Sequence, residues 1–253
     1  MPRIDRRQFL AASVVAGGSA SLGGCDRLSS SSLFPKVLGI AERATEVAQT
    51  AITSRTALAR EYPASEIASN FRANGSTNPQ DANYLALAKN NFNGYRLDIQ
   101  GLVEKPLNLS LDDLKALPSR TQITRHDCVE GWSAIGQWKG VPLRTVLDLA
   151  STKTTARYVI FRCADSLDGQ TNYYESIDVQ DAYHPQTILA YELNGQALPV
   201  PNGAPLRVRV ERQLGYKMAK YIMQIELVES FDQIEGGNGG YWEDQGYEWY
   251  AGI

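Results

Sequence analysis

Residues 124–133 read TRHDCVEGWS, and they set Cys128 between the carboxylates of Asp127 and Glu130. Burial and nearby negative charge both raise a thiol's pKa, so an unaided thiolate nucleophile is disfavoured there. A bound cation would reverse that balance. His126 stands two positions earlier, so a thiol enzyme with Cys128 as nucleophile and His126 as base is a second chemistry the stretch allows. A third reading is a plain core thiol, the usual fate of an isolated cysteine.

The remaining composition narrows these options. Cys25, Cys128 and Cys163 are the three cysteines, with no CxxC pair, and His126 and His184 are the two histidines. That inventory excludes a disulfide framework and a Cys-rich zinc site, and makes a His-based zinc centre improbable. Any metal must be held mostly by something other than protein. The chain carries no CxxCH haem site, no Fe–S spacing and no glycine-rich dinucleotide motif. A redox reaction would therefore exchange electrons with a separate protein. A net charge of −3 gives no reason to expect nucleic acid as a partner.

The elements that must position these groups lie in a chain of 253 residues, 43% of them hydrophobic, whose 13 tyrosines and four tryptophans favour a β-rich fold. Met1–Cys25 has the layout of an export signal: a basic start with Arg6-Arg7, then a weakly apolar run. RRQFL resembles a twin-arginine address, a route for proteins already folded with cofactor, and so predicts a periplasmic protein. LGGC at 22–25 resembles a lipobox, which would lipidate Cys25 and tether the protein to a membrane surface. Residues 26–61 then form a tether and a helix, with apolar spacing from Val37 to about Tyr62 and a stop at Pro63.

Strands are predicted at Tyr95–Val103, Thr121–Cys128, Ala156–Cys163, Leu206–Glu211 and Tyr221–Val228. Ser110 caps a short helix to Leu117, Pro142 opens another, and Asp178–Tyr183 is a helical turn. Ile188–Leu193 and Ala197–Val200 flank Asn194-Gly195, a hairpin signal. Strands mixed with short helices, without βαβ spacing, predict an α+β domain over 62–230. The aromatic tail 231–253 reads as a strap or partner contact more than a core element.

HDCVEGWS, followed by QWKGVPLRTVLDLA, resembles the oxidoreductase molybdopterin-binding domain shared by sulfite oxidases and the periplasmic methionine sulfoxide reductase catalytic subunit. FRANGSTNP (71–79), PNGAPLRVRV (201–210) and GYKMAKYIMQIELVE (215–229) match in the same order, so the resemblance covers about 70–230. It implies the sulfite oxidase-type fold, with mixed β-sheets and short helices around one mononuclear molybdenum–molybdopterin. It implies Cys128 as the metal ligand, a soft thiolate kept deprotonated by the metal's charge. It implies cofactor contacts at Asn74, Thr77, Asn78, Asn202, Arg207, Met218, Ala219 and Lys220, with Arg207 and Lys220 as phosphate partners. Cys163 stands where the reductases have a threonine at a pterin contact.

For substrate, Arg72 occupies the place of an anion-binding arginine in sulfite oxidases, and Tyr173 that of a tyrosine near the reacting oxygen, with Tyr174 as the alternative. A second arginine that sulfite oxidases carry after the cysteine is replaced here by Gly131, Trp132, Ser133 and Ala134. Fewer cations would hold a small dianion less well, and Trp132 offers a wall to a less charged substrate. Of Arg125 and His126, neighbours on a strand, one at most can face the metal. The implied function is an exported molybdenum oxidoreductase moving an oxygen atom to or from a small S- or N-containing substrate. Its electron partner would be a separate haem or cytochrome-type protein. A non-catalytic, membrane-tethered binding module of the same fold is the rival from another class. The dimerisation domain of sulfite oxidases has no counterpart in residues 230–253, so a monomer is expected.

Overall fold

The computed structural model describes residues 54–253, and before them Ala44 alone, which is helical and exposed. The export signal, the lipobox at Cys25 and all of the 37–53 stretch but Ala44 lie outside the described residues. Where the expected helix continues, at Ser54–Tyr62, the chain is irregular, which corrects that expectation. The segment's backbone bonds go sideways: Tyr62 N–H donates to the Ile123 carbonyl (2.9 Å), and the Gln186 side-chain amide both accepts from Ala59 N–H (2.7 Å) and donates to its carbonyl (3.0 Å). Backbone groups captured this way cannot also close helical turns.

The ordered elements follow as α1 (Ala82–Lys89), β1 (Arg96–Gly101), β2 (Leu107–Ser110), α2 (Leu111–Ala116), β3 (Arg120–Cys128), β4 (Trp132–Pro142), α3 (Leu143–Ala150), β5 (Tyr158–Ser166), β6 (Asn172–Asp178), α4 (Val179–Ala182), β7 (Ile188–Leu193), β8 (Gln196–Ala197), β9 (Arg207–Arg209), β10 (Ile222–Val228) and α5 (Tyr241–Asp244). One sheet has the order β2-β1-β10-β5-β6; the other runs β3-β4-β7-β8, with β9 also paired to β7. β1 and β10 are parallel and the other ladders antiparallel, so the first sheet is mixed.

Local sequence explains most of this. Leu97 and Ile99 alternate inward on β1, as a half-buried strand requires. Ser110 and Asp113 form a reciprocal capping box that starts α2. In α3, Leu143, Val146, Leu147 and Ala150 recur at helical spacing and are all buried. They join Val159, Phe161, Ile225 and Leu227 in the main core. Asn194 and Gly195 both adopt positive φ and turn the β7–β8 hairpin. The second arm of that hairpin is shorter than expected. Pro199 has no N–H for a ladder, and Val200–Asn202 winds into a 3₁₀ turn.

Candidate functional site

Cys128 is the last residue of β3, directly opposite Trp132 at the start of β4. The connecting turn closes with Gly131 N–H donating to the Cys128 carbonyl (3.0 Å), and Gly131 at φ 84° is where glycine's freedom is needed. Residues facing each other across two strands share a face, so the tight turn presents Cys128 and Trp132 together. The flanking carboxylates are occupied elsewhere. Asp127 accepts from Arg125 (2.9 Å) and from the Ser133 hydroxyl (2.5 Å), and Glu130 accepts from the Trp132 indole (3.0 Å). Burial raises the Cys128 thiol's pKa. The backbone N–H of Glu130 lowers it, the Glu130 carboxylate raises it and Arg72 lowers it again. Of the two acids in the motif, only Glu130 acts on the sulfur.

His126 lies two residues before Cys128 and therefore on the same face of β3, so strand alternation does not separate the pair. Its hydrogen bonding does. Nδ1 is 2.9 Å from an Arg209 N–H, which can only donate, so Nδ1 must accept and the ring proton sits on Nε2. Burial, then Arg209, Arg207 and Lys220, push the pKa of this imidazole well below its usual value. The ring is walled by Trp132 and Phe71, and a Cβ on Gly215 would stand 2.5 Å from it. A neutral imidazole whose lone pair is taken by arginine is a poor base for Cys128. Arg125, exposed and paired with Asp127, points to the other side.

Cys128 opens onto a solvent-connected cleft, whose lining includes Asn74, Asp165, Tyr173, Tyr216, Met218, Ala219, Lys220, Trp242 and Tyr247. The segments at 74–76 and 215–220, the ends of β3, β5 and β6, and the C-terminal tail all converge there. Lys220, expected at the phosphate, lines the cleft. Its ammonium donates to the carbonyls of Asn74 (2.6 Å), Ser76 and Pro201 (3.3 Å), so its three protons tie the 74–76 loop to the 201 turn. Burial and Arg207 push its pKa down to about 7, and burial pushes Asp165 up to about 6 against the attraction of Lys220.

Asp165, which lines the cleft, has an unpartnered Oδ1. Asn202 Nδ2 and Arg207 Nε, which do not line it, and His126 Nε2 beside Gly215 are buried without a protein partner as well. Arg207 is fully buried, bonded only to the Asn202 and Met218 carbonyls, with its guanidinium 4.9 Å from the Trp138 ring. A buried guanidinium with no acid partner and adjacent free donors suits an anion, and a lone carboxylate oxygen suits an N–H donor. Those are the demands of a phosphorylated pterin, so the residues present fit the expected cofactor. The field of Arg207, Arg209 and Lys220, which acts on His126 two residues before Cys128, points the same way.

The other candidates divide. Thr77 and Asn78 are exposed and do not line the cleft. Cys163 is buried in the main core, with burial raising its thiol well above the usual range, and Asp165 two residues on is the one that reaches the cleft. Tyr173 lines the cleft, but its hydroxyl donates to the Tyr216 carbonyl (2.6 Å), so toward the cleft it offers ring and oxygen acceptor. Tyr174 instead donates to Asp244 (2.5 Å). Arg72 is exposed, its guanidinium 5.4 Å from the Trp132 ring, near enough to act on Cys128. Asp165, Tyr216, Trp242 and Tyr247 were not legible as site residues. Beneath them Lys217 bridges Glu175 (2.5 Å) and Glu243, all three shielded from water.

The chain is similar to proteins of a known family. The sequence model of the family described as oxidoreductase molybdopterin binding domain matches residues 84–233. The chain is 40% identical over 247 residues to the "Putative protein-methionine-sulfoxide reductase subunit YedZ1" of Azospira oryzae, covering 98% of this chain and 87% of that one. It is 34% identical over 157 residues to the protein-methionine-sulfoxide reductase catalytic subunit MsrP of Campylobacter jejuni, covering 57% of this chain and 53% of that one, about half its length. Among solved structures, the sulfane dehydrogenase SoxCD of Paracoccus pantotrophus aligns at 25% identity with a TM-score of 0.49, over 54% of this chain and 38% of that one.

Proposed function

The chain belongs to the oxidoreductase molybdopterin binding domain family and is a molybdenum-dependent oxidoreductase, and from that premise we propose that it reduces an S-oxide at a metal held by Cys128. The relatives named for protein-methionine-sulfoxide reduction support the direction and substrate class. The observation that carries the reading is the aromatic lining of the cleft that Cys128 opens onto: Tyr173, Tyr216, Trp242 and Tyr247 line it and Trp132 stands opposite Cys128 across the strands, while Lys220 and Lys217 spend their protons on protein oxygens. Such a lining suits a neutral substrate better than a dianion like sulfite.

When bound, the cofactor supplies two-electron oxygen-atom transfer. The chain's share is to bind and orient. The Cys128 thiolate would ligate the metal, and Asn74, Asn202, Arg207 and the backbone at Met218–Ala219 would hold the pterin and its phosphate. Lys220 fixes the loop carrying Asn74. Arg72, over the Trp132 face, guards the Cys128 side, and Tyr173 orients the substrate by its ring and oxygen. The balance is one S–O bond broken, two electrons and two protons consumed, and a sulfide and a water formed. The electrons come from a separate haem or cytochrome-type protein, and the protons from water in the open cleft.

We place the enzyme in the periplasm, exported folded by the twin-arginine route and anchored through Cys25. The purified protein should hold about one molybdenum per chain. Cys128→Ser should abolish reduction of methionine sulfoxide with a dye donor, by more than about a thousandfold, while part of the pterin is retained. Turnover of sulfite but of no S-oxide, or full activity in Cys128→Ser, would reject this reading.

A further inference from the structure

The match to the family ends at residue 233, yet two residues beyond it, Trp242 and Tyr247, line the same cleft as Cys128. Their rings stack at 5.1 Å and 29°, and Tyr247 meets Tyr216 edge-on at 5.3 Å. Tyr241 next to them lies 5.7 Å from Tyr173. Tyr247 is still 38% exposed, so this aromatic surface is presented at the cleft and not used up in packing.

The tail that carries it is fastened at several points. Glu243 is paired with buried Lys217, one residue before the Met218–Lys220 segment. Asp244 accepts from the Tyr174 hydroxyl (2.5 Å) and from Gly236 N–H (3.0 Å). The Tyr216 hydroxyl donates to the Glu248 carbonyl (2.6 Å), and Leu214 N–H to the Ala251 carbonyl (2.9 Å). Five bonds of this kind hold the rings in place before a ligand arrives, which is what a selective wall needs. A solvent-swept strap would not need a buried ion pair.

We infer that Trp242 and Tyr247 form the specificity wall of the enzyme, selecting a neutral S-oxide that bears a methyl group and rejecting tetrahedral oxyanions. Methyl and thioether-type groups bind aromatic faces well, whereas a dianion would give up its hydration against those rings and find the Lys220 ammonium already bonded to three carbonyls. The inference rests on the S-oxide reading of the Cys128 site. The same methyl sulfoxide group can arrive on a small molecule or on a methionine side chain within a polypeptide.

The test compares wild type with Trp242→Ala, Tyr247→Ala and Trp242→Phe. Molybdenum per chain is measured first, then kcat and KM with dimethyl sulfoxide, free methionine sulfoxide and an oxidised methionine peptide. A second readout independent of turnover is saturation-transfer NMR from the protein to the methyl protons of dimethyl sulfone. The expected result is KM raised about tenfold or more in both Ala variants, unchanged molybdenum content, loss of the sulfone signal, and recovery in Trp242→Phe. A rise shared by all three substrates assigns recognition to the methyl sulfoxide itself; a rise confined to the peptide assigns it to a polypeptide carrier, and one confined to the small sulfoxides to free ligands. Unchanged KM and sulfone signal, or a KM change that merely follows lost molybdenum, overturns the inference. If molybdenum-replete wild type turns over no S-oxide yet the sulfone signal depends on Trp242, the reaction reading fails and the wall stands.

Discussion

Lys220 brings a positive charge into a place where burial and Arg207 both oppose it, and it stays because three carbonyls need its protons. Lys220→Met would leave those carbonyls without a donor, at a cost of roughly 2–4 kcal/mol, and would free the loop that carries Asn74. Reduced molybdenum retention and a lower urea midpoint at neutral pH are the expected outcomes. The pH dependence has a definite sign. The folded protein sheds the Lys220 proton near pH 7, whereas the unfolded chain holds it to about 10.5. Stability of the cofactor-free protein should therefore rise between these values, and urea midpoints of Lys220→Met should lack that rise. A residue singled out by motif position thus also ties backbone segments together.

Between elements, the clearest coupling is the ion cluster that binds α5 to β6 and to the turn at 215–217. Two carboxylates share one ammonium, and burial together with Glu243 raises Glu175 well above the carboxylate range. The two acids are then unequal. Glu243→Gln removes the counter-charge of Lys217 and should cost about 3–5 kcal/mol, releasing the tail and opening its backbone to hydrogen exchange. Glu175→Gln replaces a group that is protonated more readily than usual and should cost far less. Because the Glu175 pKa is raised on folding, its stabilising share is complete below the unfolded value of about 4.5 and is lost as pH rises through the folded value. Glu175→Gln should accordingly gain on wild type as pH increases, measured as the difference in urea midpoints.

At the scale of the whole molecule, the order of events follows from where the cofactor must sit. Asn74, Cys128, Tyr173 and Ala219 come from four separate segments, and they meet at one cleft only when the chain between them is folded. Export of an unfolded chain would separate them, so the export route proposed from Arg6-Arg7 is one that carries a folded, cofactor-loaded passenger. Replacing Arg6 and Arg7 with lysine is expected to leave molybdenum-loaded protein in the cytoplasm. Fractionation followed by metal analysis checks this, and export of the double variant at the wild-type level would refute it.

Much of this was readable from the chain. Alternation and caps located β1, β3, α2 and α3, because backbone geometry and a water-facing side act on short stretches. The motif around Cys128 identified the family because its residue types serve one chemistry at fixed spacing. Other features exist only after folding. Asp165 and not Cys163 lines the cleft because β5 breaks register with β6 between Arg162 and Ser166, so residues two apart end in different surroundings. His126 is disqualified as a base by Arg209, 83 residues away. The tail is a wall because Glu243 finds Lys217, and nothing within residues 231–253 foretells a partner brought near by long-range packing.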